Sequence, residues 1–255
     1  MSCVQTVDRD TLHHMEYRFT GIMLRKREIG ETDRLYTFFT REQGKVTAVA
    51  KGVRKSEAKL ASSLETATLA EIMVARTRGT GKITGAVLEE SYPALHQSYE
   101  TLRSVTSFLT DVDRLIELGE RDEVLFHLLR NYLELMEHFS QEGAAIQPTR
   151  LLTEAVYYQL FGLLGYRFEL GSCVLSHERL HSGERFFLSF ESGGVVSHTH
   201  VHEARDAQII SENAIKALRL IGEHPLLHIQ KIVLDEGTLE EIARLRNRYR
   251  RWIRD

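Results

Sequence analysis

YRFTGIMLRKREIGETDRLYTFFTREQGKVTAVAKG, residues 17–52, decides the fold. In its opening YRFTGIMLR (17–25), Arg18, Thr20, Ile22 and Leu24 alternate with Tyr17, Phe19, Gly21 and Met23. Apolar groups on both faces are expected of a barrel strand lying near a second layer. DRLYTFFTR (33–41) follows, rich in aromatic and Thr residues, and Glu42-Gln43-Gly44-Lys45 turns it into VTAVAKG (46–52). That is a hairpin signal. TLAEIMVAR (68–76) and ITGAVLEE (83–90) complete the series, and Gly79-Thr80-Gly81-Lys82 is a tight basic turn between them. Five short strands in about 75 residues, without a long helix, is the size of a five-stranded Greek-key barrel. Periodicity alone leaves an SH3-like barrel equally open.

After Pro93 the period changes from 2 to 3.6. Tyr99, Leu102, Val105, Leu109, Val112 and Ile116 form one stripe. Leu125, Leu128, Leu129, Tyr132, Leu135, Met136 and Phe139 form a second. Leu152, Ala155, Val156, Gln159, Leu160, Leu163 and Leu164 form a third, with Pro148 at its start. Such amphipathic helices must pack on one another to hide their stripes. Residues 166–205 lose the period and carry Gly, Ser and His, with FFLSF (186–190) as one short strand. Helical signals return at Ser211, a candidate cap, and at Thr238-Leu239-Glu240-Glu241, a capping box. The expected fold class is therefore α+β. A barrel domain at 15–93 precedes an all-helical domain at 94–255, which carries a small loop-rich insert at about 166–205. Residues 1–14 have no periodicity and read as a flexible tail.

Composition narrows the function classes. Two cysteines, Cys3 and Cys173, argue against a disulfide scaffold. The N-terminus lacks the apolar run of a secretory signal and no stretch is apolar enough to span a membrane, so a cytoplasmic protein is expected. Residues 1–93 hold 15 Lys+Arg against 12 Asp+Glu, and the remainder 18 against 24. A mildly basic front and an acidic rear point to two domains with different partners. There is no phosphate-binding Gly loop ending in Lys-Ser/Thr, no GxSxG and no HExxH, so no ATP and no catalytic residue is expected.

The order of these elements resembles the RecO family. The likeness rests on the strand ending in Leu24-Arg25, the Gly30-Glu31-Thr32-Asp33 turn, the Gly44-Lys45 hairpin and Ala50-Lys51-Gly52-Val53-Arg54. Downstream, LLTEAVYYQLFGLLGYRFELGSCV (151–174) is similar to the helix leading into that family's zinc module. The resemblance implies an OB-type barrel and no catalytic reaction. It implies a nucleoid-associated recombination mediator in DNA repair that binds and anneals single-stranded DNA. Its partners would be duplex ends, RecR, the C-terminal tail of single-strand-binding protein and, indirectly, RecA.

Three constellations could carry chemistry. The first is cationic. Lys51, Arg54, Lys55 and Lys59 share one loop, and Arg25, Lys26, Arg27, Arg34 and Lys45 lie on the same barrel. Single strands are held by backbone neutralisation plus base stacking, for which Tyr17, Tyr36, Phe38 and Phe39 are the nearest aromatics. The second is the insert. The family pattern holds zinc on two CxxC pairs, whereas Cys173-Val174-Leu175-Ser176 supplies one thiol and the second pair position none. No cofactor is expected, unless Cys173, His177, His198 and His200 hold zinc, the two last facing one way on a strand. Otherwise the module has lost its metal and rests on a small apolar cluster. The third is the C-terminal helix, where Arg244, Arg248, Arg251 and Trp252 could bind the acidic, aromatic-ended tail of single-strand-binding protein, or DNA. Two other functions fit less well: an interaction adaptor that does not bind DNA, and a metal-dependent enzyme at the insert using Glu178 or Glu184.

Overall fold

A computed structural model describes residues 15–52, 64–76, 80–143, 146–229 and 231–254. The expected tail at 1–14 and the loop cations Arg54, Lys55 and Lys59 lie outside the described residues. The chain divides into two compact units.

The first unit joins the strands to Leu109–Phe126. Strands β1 (Met15–Ile29), β2 (Asp33–Thr40), β3 (Gly44–Ala50), β4 (Leu69–Arg76) and β5 (Gly81–Glu90) close a barrel in the order β1-β2-β3-β5-β4. The β3–β5 pair is parallel and the others antiparallel. This is an OB-type barrel, and its strand order resolves the choice that periodicity left open. β1 is long enough to serve two neighbours. Its first half pairs with β4 and its second with β2, and an irregularity between Met23 and Arg25 turns it from one to the other. Alternation fills the barrel. Phe19, Met23, Tyr36, Phe38, Val46, Ala48, Ala50, Ile72, Val74 and Ile83 form the interior cluster with Leu64. On the opposite side of the same strands Ile22, Leu24 and Phe39 are also buried, as expected where a second layer covers the sheet.

That layer is the segment 109–126, fastened at the β2–β3 hairpin. Gly119 N–H donates to the Lys45 carbonyl at 3.0 Å. Gly44 has φ +65, and a Cβ there would lie 1.8 Å from the Glu120 carbonyl oxygen. Only glycine meets both the left-handed turn and this close approach.

The second unit comprises Pro93–Phe108 and residues 127 onward. Its elements are α1 (Pro93–Gln97), the front of α2 (Tyr99–Leu115), most of α3 (Glu123–Gln141), and α4 (Ile146–Leu163). They continue with β6 (Phe186–Ser189), β7 (Gly194–Ser197), β8 (Gln208–Ile210), α5 (Glu212–Glu223), α6 (Leu226–Ile229) and α7 (Glu236–Trp252). α4 is buried on nearly every side from Leu151 to Phe161 and contacts α5, α6 and α7, so it is the central helix and not a one-striped one. A buried pair crosses from it: Arg246 of α7 donates to both Glu154 oxygens at 2.8 and 2.9 Å and lies 4.7 Å over the Tyr157 ring. The insert is more ordered than a lone strand, since β7, β6 and β8 form an antiparallel sheet. Ser211 caps α5, its hydroxyl accepting from Ala214 N–H at 3.1 Å. The capping box at Thr238 is corrected. Asp235 caps α7 by accepting from the Thr238 amide and hydroxyl, and Glu241 instead accepts from Ser211. Among the described residues no helix is long and apolar enough to cross a membrane.

Candidate nucleic-acid interface

The strand register sorts the barrel cations by face. Tyr36 and Phe38 point inward, so Leu35, Thr37 and Phe39 point outward, and pairing carries that row across the sheet. Arg27 pairs with Leu35, Leu35 with Val49, and Val49 with Lys82. Arg27 and Lys82 are both exposed, and Leu35 and Val49 between them are half-buried. Three strand spacings separate the two cations by about 14 Å. Arg25 stands one step along on the same side, opposite Thr37, which pairs with Thr47. Its guanidinium lies 3.6 Å from Asp113 and is 43% exposed. Lys51 is exposed just past β3.

Gly52, just past β3, is tied to the turn motif. Gly52 N–H donates to Asp33 at 2.8 Å. That hydrogen bond, helped by the Thr32 hydroxyl and the Lys51 charge, holds the Asp33 carboxyl below its ordinary range. The Gly30–Asp33 turn and the Ala50–Gly52 segment, separate in the sequence, are thus one structure.

Other expected cations are placed differently. Lys45 is 12% exposed and 3.0 Å from Asp113, itself 12% exposed. Its ammonium also donates to the Asp113 and Ile116 carbonyls at the end of α2. It is a clamp on the covering segment, not a surface cation. Lys26 and Arg34 lie on the inward side at one end of the barrel, Lys26 bonded to Glu65 and Arg34 3.7 Å from Glu28. The stacking aromatics are corrected as well. Tyr36 and Phe38 are fully buried because the closed barrel needs large side chains to fill it, Phe39 is fully buried on the opposite side, and Tyr17 is half-buried against the barrel core. Two residues went unassigned in the sequence. Lys82 needed the β3–β5 pairing, and Asp113 was signalled only as an acid beside the apolar Leu109–Val112–Ile116 stripe.

Among the described residues no three His, Cys, Asp or Glu side chains are arranged to hold an ion. β7 ends at Ser197, so His198 and His200 sit on a turn and not a strand. The His200 Nδ1 is within 3.1 Å of the Ser197 hydroxyl and 2.9 Å of Thr199. His177 holds φ +61 and donates its N–H to the Cys173 carbonyl. Cys173 is buried with Val196 and Ala204, and its sulfur accepts from Ser197 N–H at 3.4 Å. Burial pushes the thiol up, but hydrogen bonds from Ser197 and Ser176 outweigh it and bring it down to about 6. Glu178 is engaged with Ser176. Of the expected ligand set, Cys173 and His198 line one cavity, with Glu178, His181 and Glu184, while Cys173 also packs in a small apolar cluster with Val196 and Ala204.

On α7, Arg244, Arg248 and Arg251 are exposed and Trp252 is 39% exposed.

Comparison with known proteins agrees with this architecture. The family model described as recombination protein O N terminal matches residues 15–92, and that described as recombination protein O C terminal matches 96–252. A DNA repair protein RecO of Dehalococcoides mccartyi is 27% identical over 89% of this chain and 86% of its own length. One from Gloeobacter violaceus is 30% identical over 82% and 78%. One from Desulfitobacterium hafniense is 33% identical over 71% and 63%. Barrel, helical unit and both family models agree: the chain belongs to the RecO family of DNA repair proteins.

Proposed function

We propose that the protein is a non-enzymatic recombination mediator that binds single-stranded DNA along the outward β1-β2-β3-β5 face of its barrel. The observation that carries the reading is the row Arg27–Leu35–Val49–Lys82, with Arg25 and Lys51 beside it. Its cations are exposed, and among the described residues Arg27, Lys51 and Lys82 form no ion pair closer than 4 Å. OB-type barrels take oligonucleotides on the strand 2–3 face and its flanking loops. Arg54, Lys55 and Lys59 follow Lys51 in the sequence and extend the same basic character. Strand annealing, and loading of RecA with RecR onto DNA coated with single-strand-binding protein, follow as the activities such a grip serves in the cytoplasm at the nucleoid.

Each phosphate contact on a single strand contributes about −0.7 to the slope of log K against log salt. The triple substitution Arg25→Ala/Arg27→Ala/Lys82→Ala flattens that slope by about 2 in anisotropy titrations of a labelled oligonucleotide. An unchanged slope with a folded variant rejects this face. Failure of the purified parent to bind at all leaves the adaptor function standing in its place.

A further inference from the structure

Phe19, Tyr36 and Phe38 fill the barrel core, Phe39 is buried on the outward side and Tyr17 is half-buried against the core, so the outward row offers no exposed ring for the stacking half of single-strand recognition. α7 offers one. The Trp252 ring lies nearly parallel to Tyr249, with 5.6 Å between centroids and 14° between planes. Tyr249 is in turn fixed by Phe168 at 4.3 Å, Phe190 at 4.8 Å and Phe161 at 5.3 Å, and its hydroxyl donates to the Tyr166 carbonyl at 3.0 Å. Phe190 also approaches Trp252 at 6.3 Å. Trp252 is therefore a ring with a rigid aromatic backing and over a third of its surface in solvent.

Arg244, Arg248 and Arg251 stand at i, i+4 and i+7, one stripe of the helix, rising about 6 and then 4.5 Å along the axis. Arg248 precedes Trp252 by one turn, so a guanidinium flanks the ring. None of the three makes an ion pair among the described residues, whereas Arg246 on the next row is committed to Glu154. Arg251 only returns a hydrogen bond to the Asn247 carbonyl. Favourable interaction of cations with a helix C-terminus accounts for the last turn alone and not for Arg244.

We infer that Trp252, backed by Tyr249 and flanked by Arg244, Arg248 and Arg251, is a nucleobase-stacking platform that holds an unpaired DNA base with its phosphates on the arginine stripe. The inference rests on the DNA-binding function proposed above and adds a second contact to it. An acidic peptide ending in an aromatic residue is the competing occupant. A peptide anchor needs a hole for its ring, because such contacts gain their energy in desolvated pockets. The cavity lined by Tyr249, Phe161 and Phe168 is only about 20 Å³ and does not reach Trp252. A flat ring backed by a second ring suits a base.

Trp252 is the sole tryptophan of the chain, so its fluorescence reads the site without substitution. Oligo(dT) should quench it saturably, and an abasic strand of equal length should bind without quenching. Trp252→Ala should weaken oligo(dT) binding about tenfold and leave the abasic strand unaffected, with Trp252→Phe restoring most of the loss. If labelled oligo(dT) binds while the fluorescence and the Trp252→Ala affinity stay unchanged, the platform is wrong and the barrel face stands. If neither strand binds, the barrel face is wrong and the platform falls with it. Quenching by an acidic Phe-ended peptide but not by oligo(dT) gives the surface to a peptide and overturns the inference.

Discussion

Lys45→Met separates the structural cation from the DNA-binding ones. The methylene stem is kept, so packing is largely preserved, and only the ammonium is lost. That ammonium lies 3.0 Å from the Asp113 carboxylate and 3.0 Å from the Ile116 carbonyl, and also donates to the Asp113 carbonyl. Breaking a fully buried pair costs about 3–5 kcal/mol, because the surviving charge is left desolvated. Two features reduce this here. Both side chains keep 12% of their exposure, and Arg25 remains 3.6 Å from Asp113. A loss of about 2–3 kcal/mol is expected, lowering the thermal midpoint by about 5–10 °C. Far-UV circular dichroism melts measure it, and salt titration of oligonucleotide binding supplies the second axis. The slope against log salt should not move, since this lysine meets no phosphate. Arg27→Ala should do the reverse, changing stability by no more than about 0.5 kcal/mol while weakening binding. A Lys45→Met protein with the parent midpoint and a flattened salt slope would refute the assignment.

Gly44→Ala should destabilise by about 3 kcal/mol or more in urea unfolding, because left-handed strain adds to a Cβ 1.8 Å from the Glu120 carbonyl. Gly30→Ala, at φ +63 with nothing within 4 Å, should cost only about 1–2 kcal/mol, and equal losses at the two sites would discredit the hairpin contact. For Cys173, the native thiol at about 6 lies below its ordinary 9.0, so between these values the unfolded chain holds a proton that the native chain has released. Stability from this group therefore rises with pH across that window, is complete above it and is absent below pH 6. In a Cys3→Ser background, Cys173→Ser should flatten the pH dependence of the urea midpoint, and parallel curves for the two proteins would contradict the thiolate assignment.

The five strands were legible because hydropathy alternates along each and the turns carry glycine at positions such as Gly44. β1 runs on to Ile29, beyond Arg25, since Arg25-Lys26-Arg27-Glu28 carries no apolar alternation to mark it as strand. The helices were legible from their stripes, though α4 buries almost every side and one stripe understates it. β7 and β8, of four and three residues, are too short for periodicity to register. At the candidate site the residue types were readable and the roles were not. Lys45 and Arg27 are both cations on strands, and only the fold brings Asp113, 68 residues away, to one of them. The expected facing of His198 and His200 met a similar limit. Spacing of two means one face only if the strand continues, and it stops at Ser197.

A closed barrel this small fills its interior with Phe19, Tyr36 and Phe38, and Phe39 on the outward side is itself buried, which shapes what the outer face can do. The row Arg27–Leu35–Val49–Lys82 offers charge and aliphatic surface but no ring, so on the proposed function the barrel grips phosphate and sugar. Grip by stacking would compete with pairing. Each base lifted from an aromatic side chain costs about 1–3 kcal/mol, against a mean of about 1.4 kcal/mol gained per duplex stacking step. A strand stacked base by base on protein would gain little by annealing. A strand held by its backbone keeps its Watson–Crick edges open, and its complement can add without first displacing the protein. One platform at Trp252 sets the competition at a single base, a cost that the next few pairing steps exceed.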